Sequence, residues 1–239
     1  MHNAVRPLAV IAAIVLGSSV TPYVDPPDLS LNVVSGLIET VDAAWSGTNY
    51  NVRSTQVTPT GEQLASTILT SNTANDVDPR LAIASNGDVL VVWWRDLATD
   101  AVTYRKRALV TGVWGVEHAV GAGNESSSHP RIAYCNEKAW VAYQIQNSRN
   151  RSSGAQIIDD DPEPFRSIVA TTTFTGSLDL QLKSESRKLW VTWVDSGLRI
   201  GYSDYAYDKQ TWSVPAYESF SADSATAARA RIRDRVLGL

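Results

Sequence analysis

The chain has 239 residues, 44 % hydrophobic and 19 % charged, with a formal net charge of -4; such a composition folds, and it excludes a polyanion such as nucleic acid as partner. Its one cysteine, Cys135, excludes an intramolecular disulfide and any multi-cysteine zinc or iron–sulfur centre. Eight Trp and nine Tyr against three Phe favour rings with a polar edge, suited to a half-wet surface as well as a core.

Residues 1–19 read as an export signal. Arg6 and the amino terminus supply positive charge, Leu8 to Leu16 is unbroken apolar sequence, and Gly17-Ser18-Ser19 offers small residues for cleavage. The apolar run rises only about 14 Å as a helix against a hydrocarbon core of about 30 Å. No stable membrane insertion is therefore expected after cleavage, and the mature protein is expected to be secreted, periplasmic or in the cell envelope. A buried N-terminal helix is the competing reading, but residues 20–27, with Pro22, Pro26 and Pro27, look like a linker leading away from a leader.

From residue 28 the chain repeats. Aromatic residues ending apolar runs recur at Trp45, Trp93, Tyr143 and Trp193, spaced 48, 50 and 50. The first unit is the weakest, with Leu29, Leu31 and Val33, then Ile38 to Trp45, then Val52 to Val57, and Leu64 lying 50 residues before Trp114. The second opens at Asp78-Pro79-Arg80, alternates Leu81 and Ile83, turns at Ser85-Asn86-Gly87-Asp88 and runs Val89 to Trp94. Val102 and Tyr104 mark its third strand, Val113-Trp114 opens a fourth that fades at Val120, and 121–128 is a polar connection. The third unit repeats the Pro-Arg pair 51 residues on, at Pro130-Arg131, followed by Ala139 to Tyr143; an acidic turn at Asp159-Asp160-Asp161 interrupts it before Phe165. In the fourth, Leu178, Leu180 and Leu182 alternate, Leu189 to Trp193 is the second strand, Ile200 and Tyr202 mark the third, and Trp212 opens the last.

Four short antiparallel strands per unit at a period of about 50 residues is the pattern of β-propeller blades, each apolar on both faces because a neighbour covers each. The fold class is thus all-β, propeller-like, with about four blades over residues 28–221, forming either a closed ring or an incomplete one; a β-sandwich is the competing architecture. An incomplete ring would leave blade faces bare, and a homo-oligomer would cover them. Residues 222–239 read as a C-terminal helix capped near Ser221 to Ser224, with arginines at every second position from Arg229 to Arg235.

The repeats, Pro79-Arg80-Leu81 through Trp93 with Tyr104 and Trp114, Pro130-Arg131-Ile132 through Tyr143, and Leu189 through Trp193 with Tyr202 and Trp212, resemble those of the sialidase-like, carbohydrate-associated six-bladed propeller superfamily. The Asp box, Ser-x-Asp-x-Gly-x-x-Trp, is absent before Trp114 and Trp212, and Pro130-Arg131-Ile132 reverses the Arg-Ile-Pro order of sialidases. The resemblance implies a carbohydrate-related propeller. A sialidase-like exo-glycosidase would need three arginines, a Tyr nucleophile and an acid, for which the chain offers Arg80, Arg131, Arg199 and Tyr202 by residue type alone.

On the propeller plan, inner-strand entries and second-strand exits share one rim. The entries supply Asp28, Asp78, Arg80, His129, Arg131 and Asp179; the exits supply Trp94, Arg95, Asp96, Gln144 and Asp195. Guanidinium groups grip a carboxylate through two hydrogen bonds and a Trp face packs on the apolar side of a sugar ring, so Arg80, Arg131, Trp94, Arg95, Asp96, Gln144 and Asp195 are the candidate ligand-binding residues. The competing reading is structural, with each arginine paired to an Asp such as Asp78. Asp28, Asp78, His129 and Asp179 offer a cation ring as an alternative, and Asp159 to Asp161 with Glu163 a calcium loop, but the reading calls for no metal and no cofactor. The expected function is a binding or interaction module for a saccharide or a protein ligand, with a glycoside hydrolase and a half-ring subunit of a larger propeller as alternatives.

Overall fold

The structure, a computed structural model, describes residues 27–97, 99–120, 126–146, 151–157, 166–172, 181–185, 188–194, 199–206 and 211–219. These form seventeen strands and no helix. The leader 1–19, nearly all of the linker, the acidic turn at 159–163, Asp179, Asp195 and the C-terminal helix at 222–239 lie outside the described residues.

The strands sort into four antiparallel meanders. The first sheet holds β1 (Asp28–Asn32), β2 (Leu37–Trp45), β3 (Tyr50–Val57) and β4 (Gln63–Ile68); the second holds β5 (Asn75–Ile83), β6 (Val89–Asp96), β7 (Ala101–Arg107) and β8 (His118–Val120). The third holds β9 (Ser126–Cys135), β10 (Lys138–Gln146), β11 (Arg151–Ile157) and β12 (Arg166–Thr172). The fourth holds β13 (Gln181–Glu185), β14 (Lys188–Val194), β15 (Arg199–Ala206) and β16 (Thr211–Trp212), with β17 (Ala216–Ser219) also paired to β15. Successive sheets stack, and the first strands of each lie side by side: β5 against β1, β9 against β5, β13 against β9. This is the blade arrangement of a propeller, with β1, β5, β9 and β13 innermost. No contact of similar extent joins β13 to β1 among the described residues, so no closed ring is formed there.

Burial explains the strand sequences. Val89, Val91 and Trp93 of β6, with Leu81 of β5, face Val41 and Val52 of the first sheet, while Leu90 and Val92 face Ala139, Val141 and Tyr143 of the third. A blade covered on both faces needs an unbroken apolar strand, and β6 has one. β2 is covered on one face only: Glu39, Val41 and Ala43 are buried and alternate with half-buried residues, while Leu29 and Leu31 of β1 are exposed. The expectation of two apolar faces therefore fails for the first blade. Between the third and fourth sheets, Cys135, Trp140, Leu189 and Tyr205 close a third core.

Trp45 is also corrected. Trp93, Tyr143 and Trp193 are fully buried wedges, whereas Trp45 is 57 % exposed and lies tilted against Tyr50, ring centroids 5.0 Å apart, at the sheet's end. The apolar run of β2 continues past the packed positions up to the turn at 46–49, so the residue that ends the run is not the one that fills the gap. Leu64 is likewise exposed. In the second blade Trp114 makes only an isolated bridge to Arg107, whose guanidinium lies over the indole at 5.2 Å, and the fourth strand begins at His118 rather than at Val113. The polar connection is shorter than expected because Ser126 to Ser128 already belong to β9.

Two glycines are fixed by close approach. Gly201 lies opposite Trp193 across the β14–β15 pair, and a Cβ there would sit 2.3 Å from the indole. Gly87, at φ +87°, closes the β5–β6 turn against Leu109 and Val34, and its carbonyl accepts the Nδ2 of buried Asn32, tying the first blade to the second.

Candidate rim site

The inner strands β5 and β9 carry the same irregularity. Between Val77 and Arg80, and between Ser128 and Arg131, the register with the second strand slips so that Asp78-Pro79 lies opposite Trp93 and His129-Pro130 opposite Tyr143. Each is a bulge, two residues against one. The first residue of each has positive φ, 49° at Asp78 and 51° at His129, a costly conformation for a residue with a Cβ, and one further disfavoured before proline. The buried aromatic rings thus stand where the inner strand is bent, and the bend places Asp78 and His129 on the rim.

The Asp78 carboxylate, buried to 6 % exposure, joins two blades. Arg80 Nη2 lies 2.5 Å from Oδ1, and Arg131 Nη1, from the next blade, donates to Oδ2 at 3.0 Å and more weakly to Oδ1 at 3.3 Å. Asp28, at the start of β1, does the same one blade earlier: its Oδ2 accepts the N–H of Leu81 at 2.8 Å. Both links span 53 residues, as a repeat requires. Arg131 Nη1 also donates to the Pro130 carbonyl at 2.7 Å, while its Nε and Nη2 have no partner among the described residues. Two residues back along β9, the His129 ring stacks on Trp94 with centroids 5.0 Å apart, and its Nδ1 lies 3.0 Å from Ser128 Oγ.

The structure brings Arg80 and Arg131 together on Asp78 and sets Trp94 beside His129. It places the other candidates differently. Arg95 is enclosed: Nε donates to Asp76 Oδ1 at 2.7 Å, and Nη1 and Nη2 donate to Glu117 at 2.5 and 2.9 Å. Hydrogen bonds to Glu117 hold this guanidinium above its usual range, with Asp76 adding and burial opposing. Asp76, itself fully buried, also accepts Asn72 Nδ2 at 2.7 Å. Gln144 is buried opposite Ser128, and Asp96 is exposed at the end of β6. Arg199 and Tyr202 lie on β15, two strands out from the inner strand of their sheet, with Arg199 over the Tyr217 ring at 4.7 Å. The arrangement of three arginines and a tyrosine is thus not assembled with Arg80 and Arg131. Of the cation ring, Asp28 and Asp78 are engaged as above and His129 is stacked; Asp179 lies outside the described residues, among which no group of three or more metal-ligating side chains occurs.

Sequence reasoning missed Asp76 and Glu117, and also a second buried pair, Glu39 with Arg107, supported by Gln56 Nε2 at 3.0 Å. Asp76 had a signal, since it precedes Asp78 by one strand repeat and so shares its face. The Glu39–Arg107 pair joins residues 68 apart in different blades and leaves no periodic trace.

No protein-family model and no curated protein matches this sequence. Solved structures do match it. The intramolecular trans-sialidase from Ruminococcus gnavus superposes with a TM-score of 0.62 at 10 % identity over 82 % of this chain and 71 % of its own. A Hadza microbial sialidase gives 0.59 at 13 % identity over 78 % and 45 %, and an exo-β-1,3-galactanase from Clostridium thermocellum 0.56 at 8 % over 82 % and 48 %. The chain has the fold of the sialidase-like β-propellers, and it spans about half the length of the latter two enzymes.

Proposed function

We propose that the chain is an exported saccharide-binding module that takes an acidic sugar at the rim where β5 and β9 meet. The observation that carries this reading is Arg131: its Nη1 is fixed on Asp78, which orients the guanidinium, while Nε and Nη2 remain for a second carboxylate in the two-pronged geometry arginine favours. The Trp94–His129 ring pair two residues away offers an apolar platform for a sugar ring. Binding is favoured over hydrolysis because the buried carboxylates of this rim, Asp76 and Asp78, are both held by guanidinium groups, whereas a glycosidase needs one carboxyl as acid and another as base or nucleophile. Export rests on the leader pattern of residues 1–19, and a saccharide ligand is in keeping with the glycosidase neighbours.

The test is calorimetric titration of the protein with glucuronic, galacturonic and N-acetylneuraminic acids and with glucose and galactose. The acids should bind more tightly, and Arg131→Ala should weaken that binding by about 10- to 100-fold while circular dichroism stays unchanged. Equal binding of acidic and neutral sugars, or an Arg131→Ala protein that binds as the parent does, would refute the reading.

A further inference from the structure

At the opposite end of the second and third blades from Asp78, roughly 20 Å away along β5, lies an open groove of about 280 Å³. One wall is the β5–β6 turn with Ser85, Asn86 and Asp88, backed by Lys106 of β7; the other is Tyr134 and Glu137 of the β9–β10 hairpin. We infer that this groove is a second binding site, for a single neutral pyranose unit, separate from the rim site and independent of it.

The polar groups of the groove are fixed before any ligand arrives. Asp88 is 8 % exposed; it accepts the N–H of Leu109 at 2.9 Å and Asn86 Nδ2 at 3.1 Å, and Lys106 Nζ stands 3.5 Å from Oδ2. The Asn86 Oδ1 in turn accepts the Asp88 N–H at 3.0 Å. An acceptor and an amide in the β5–β6 turn and an ammonium from β7 are thus set side by side. Vicinal sugar hydroxyls each donate and accept, and this set answers both needs. Across the groove, Asn136 and Glu137 form a two-residue hairpin turn with φ of 52° and 61°, which fixes where Glu137 leaves the backbone. Tyr134 adds the aromatic surface on which the C–H face of a pyranose packs.

Charge and size narrow the ligand. Asp88 and Glu137 outweigh Lys106, so a carboxylate sugar is repelled and a neutral one is not. The volume lies at the lower edge of small-molecule pockets, enough for one ring and not for a chain.

The experiment is amide chemical-shift titration of the full chain with the methyl glycosides of glucose, galactose and mannose, and with glucuronic acid as the charged counterpart. A neutral glycoside should shift the amides of 84–88 and 134–137 with a dissociation constant of about 1 to 10 mM, the range for a shallow site. Tyr134→Leu, which keeps an apolar side chain in place, and Lys106→Gln should each weaken the effect about 5-fold or more; Arg131→Ala should leave it unchanged. Loss of acid binding at the rim with these shifts retained would separate the two sites. The inference is overturned if no neutral glycoside shifts these amides, if glucuronic acid shifts them as strongly, or if Tyr134→Leu and Lys106→Gln both titrate like the parent.

Discussion

Asp78 and His129 occupy the same bulge in successive blades, at nearly the same φ and each before a proline, yet they do different things. Asp78 collects two guanidinium groups from two blades; His129 turns to a ring contact with Trp94 and a hydroxyl contact with Ser128. The repeat therefore fixes where a side chain is delivered, and the residue type at that position decides what it does there. A propeller can keep the backbone irregularity that builds its rim while one blade uses it for a structural ion pair and the next for a surface.

If that contrast is right, Asp78 matters most. Asp78→Ala leaves two mostly buried guanidinium groups without their shared carboxylate and should cost about 3 to 5 kcal/mol in urea unfolding. Asp78→Asn, which tolerates the left-handed backbone and keeps one acceptor, should cost clearly less; equal losses in the two variants would show that backbone strain, and not charge, governs the position. His129→Ala should cost about 0.5 to 1.5 kcal/mol, the scale of one aromatic stack, and His129→Phe should restore most of it. A histidine variant as damaging as Asp78→Ala would erase the contrast between the two bulges.

The smallest effect expected is a pH dependence far from both. Burial works against the charge of Asp88, but the N–H of Leu109, the Asn86 amide and Lys106 outweigh it and hold its carboxyl below the usual value. Its contribution to stability is then complete above the unfolded-state value of about 3.9 and is lost as pH falls through the lower folded-state value. Asp88→Asn should flatten the acid limb of a stability–pH curve over that window and leave the curve's shape near neutrality unchanged. An acid limb as steep as the parent's would assign the effect to other carboxylates.

Much of the fold was legible because alternation and turn chemistry repeat. The run Val89 to Trp93 announces a strand buried on both faces, and the Pro-Arg pairs at 79–80 and 130–131 mark equivalent positions, which the structure indeed joins through Asp78. Trp45 misled for a physical reason: in a blade with one bare face the apolar run no longer reports depth, so its last aromatic marks the end of a strand and not a packing site. The bulges were invisible, since Asp-Pro and His-Pro read as loop ends, although both lie inside strands. The Arg95 clasp was invisible too. Nothing in the spacing of Arg95, Asp76 and Glu117 distinguishes a guanidinium held on both sides from one turned toward a ligand.

The one thiol of the chain gives the protein a gauge of its own. Cys135 closes β9 at 3 % exposure, against Trp140, Leu189 and Tyr205 in the seam between the third and fourth blades. An alkylating reagent meets it only in the fraction of time that this seam is parted, so the labelling rate, divided by that of an open thiol, is an equilibrium constant for the openings that expose the seam. Set beside the stability from urea, it tells whether the blades come apart one at a time, as stacked repeats do, or only together.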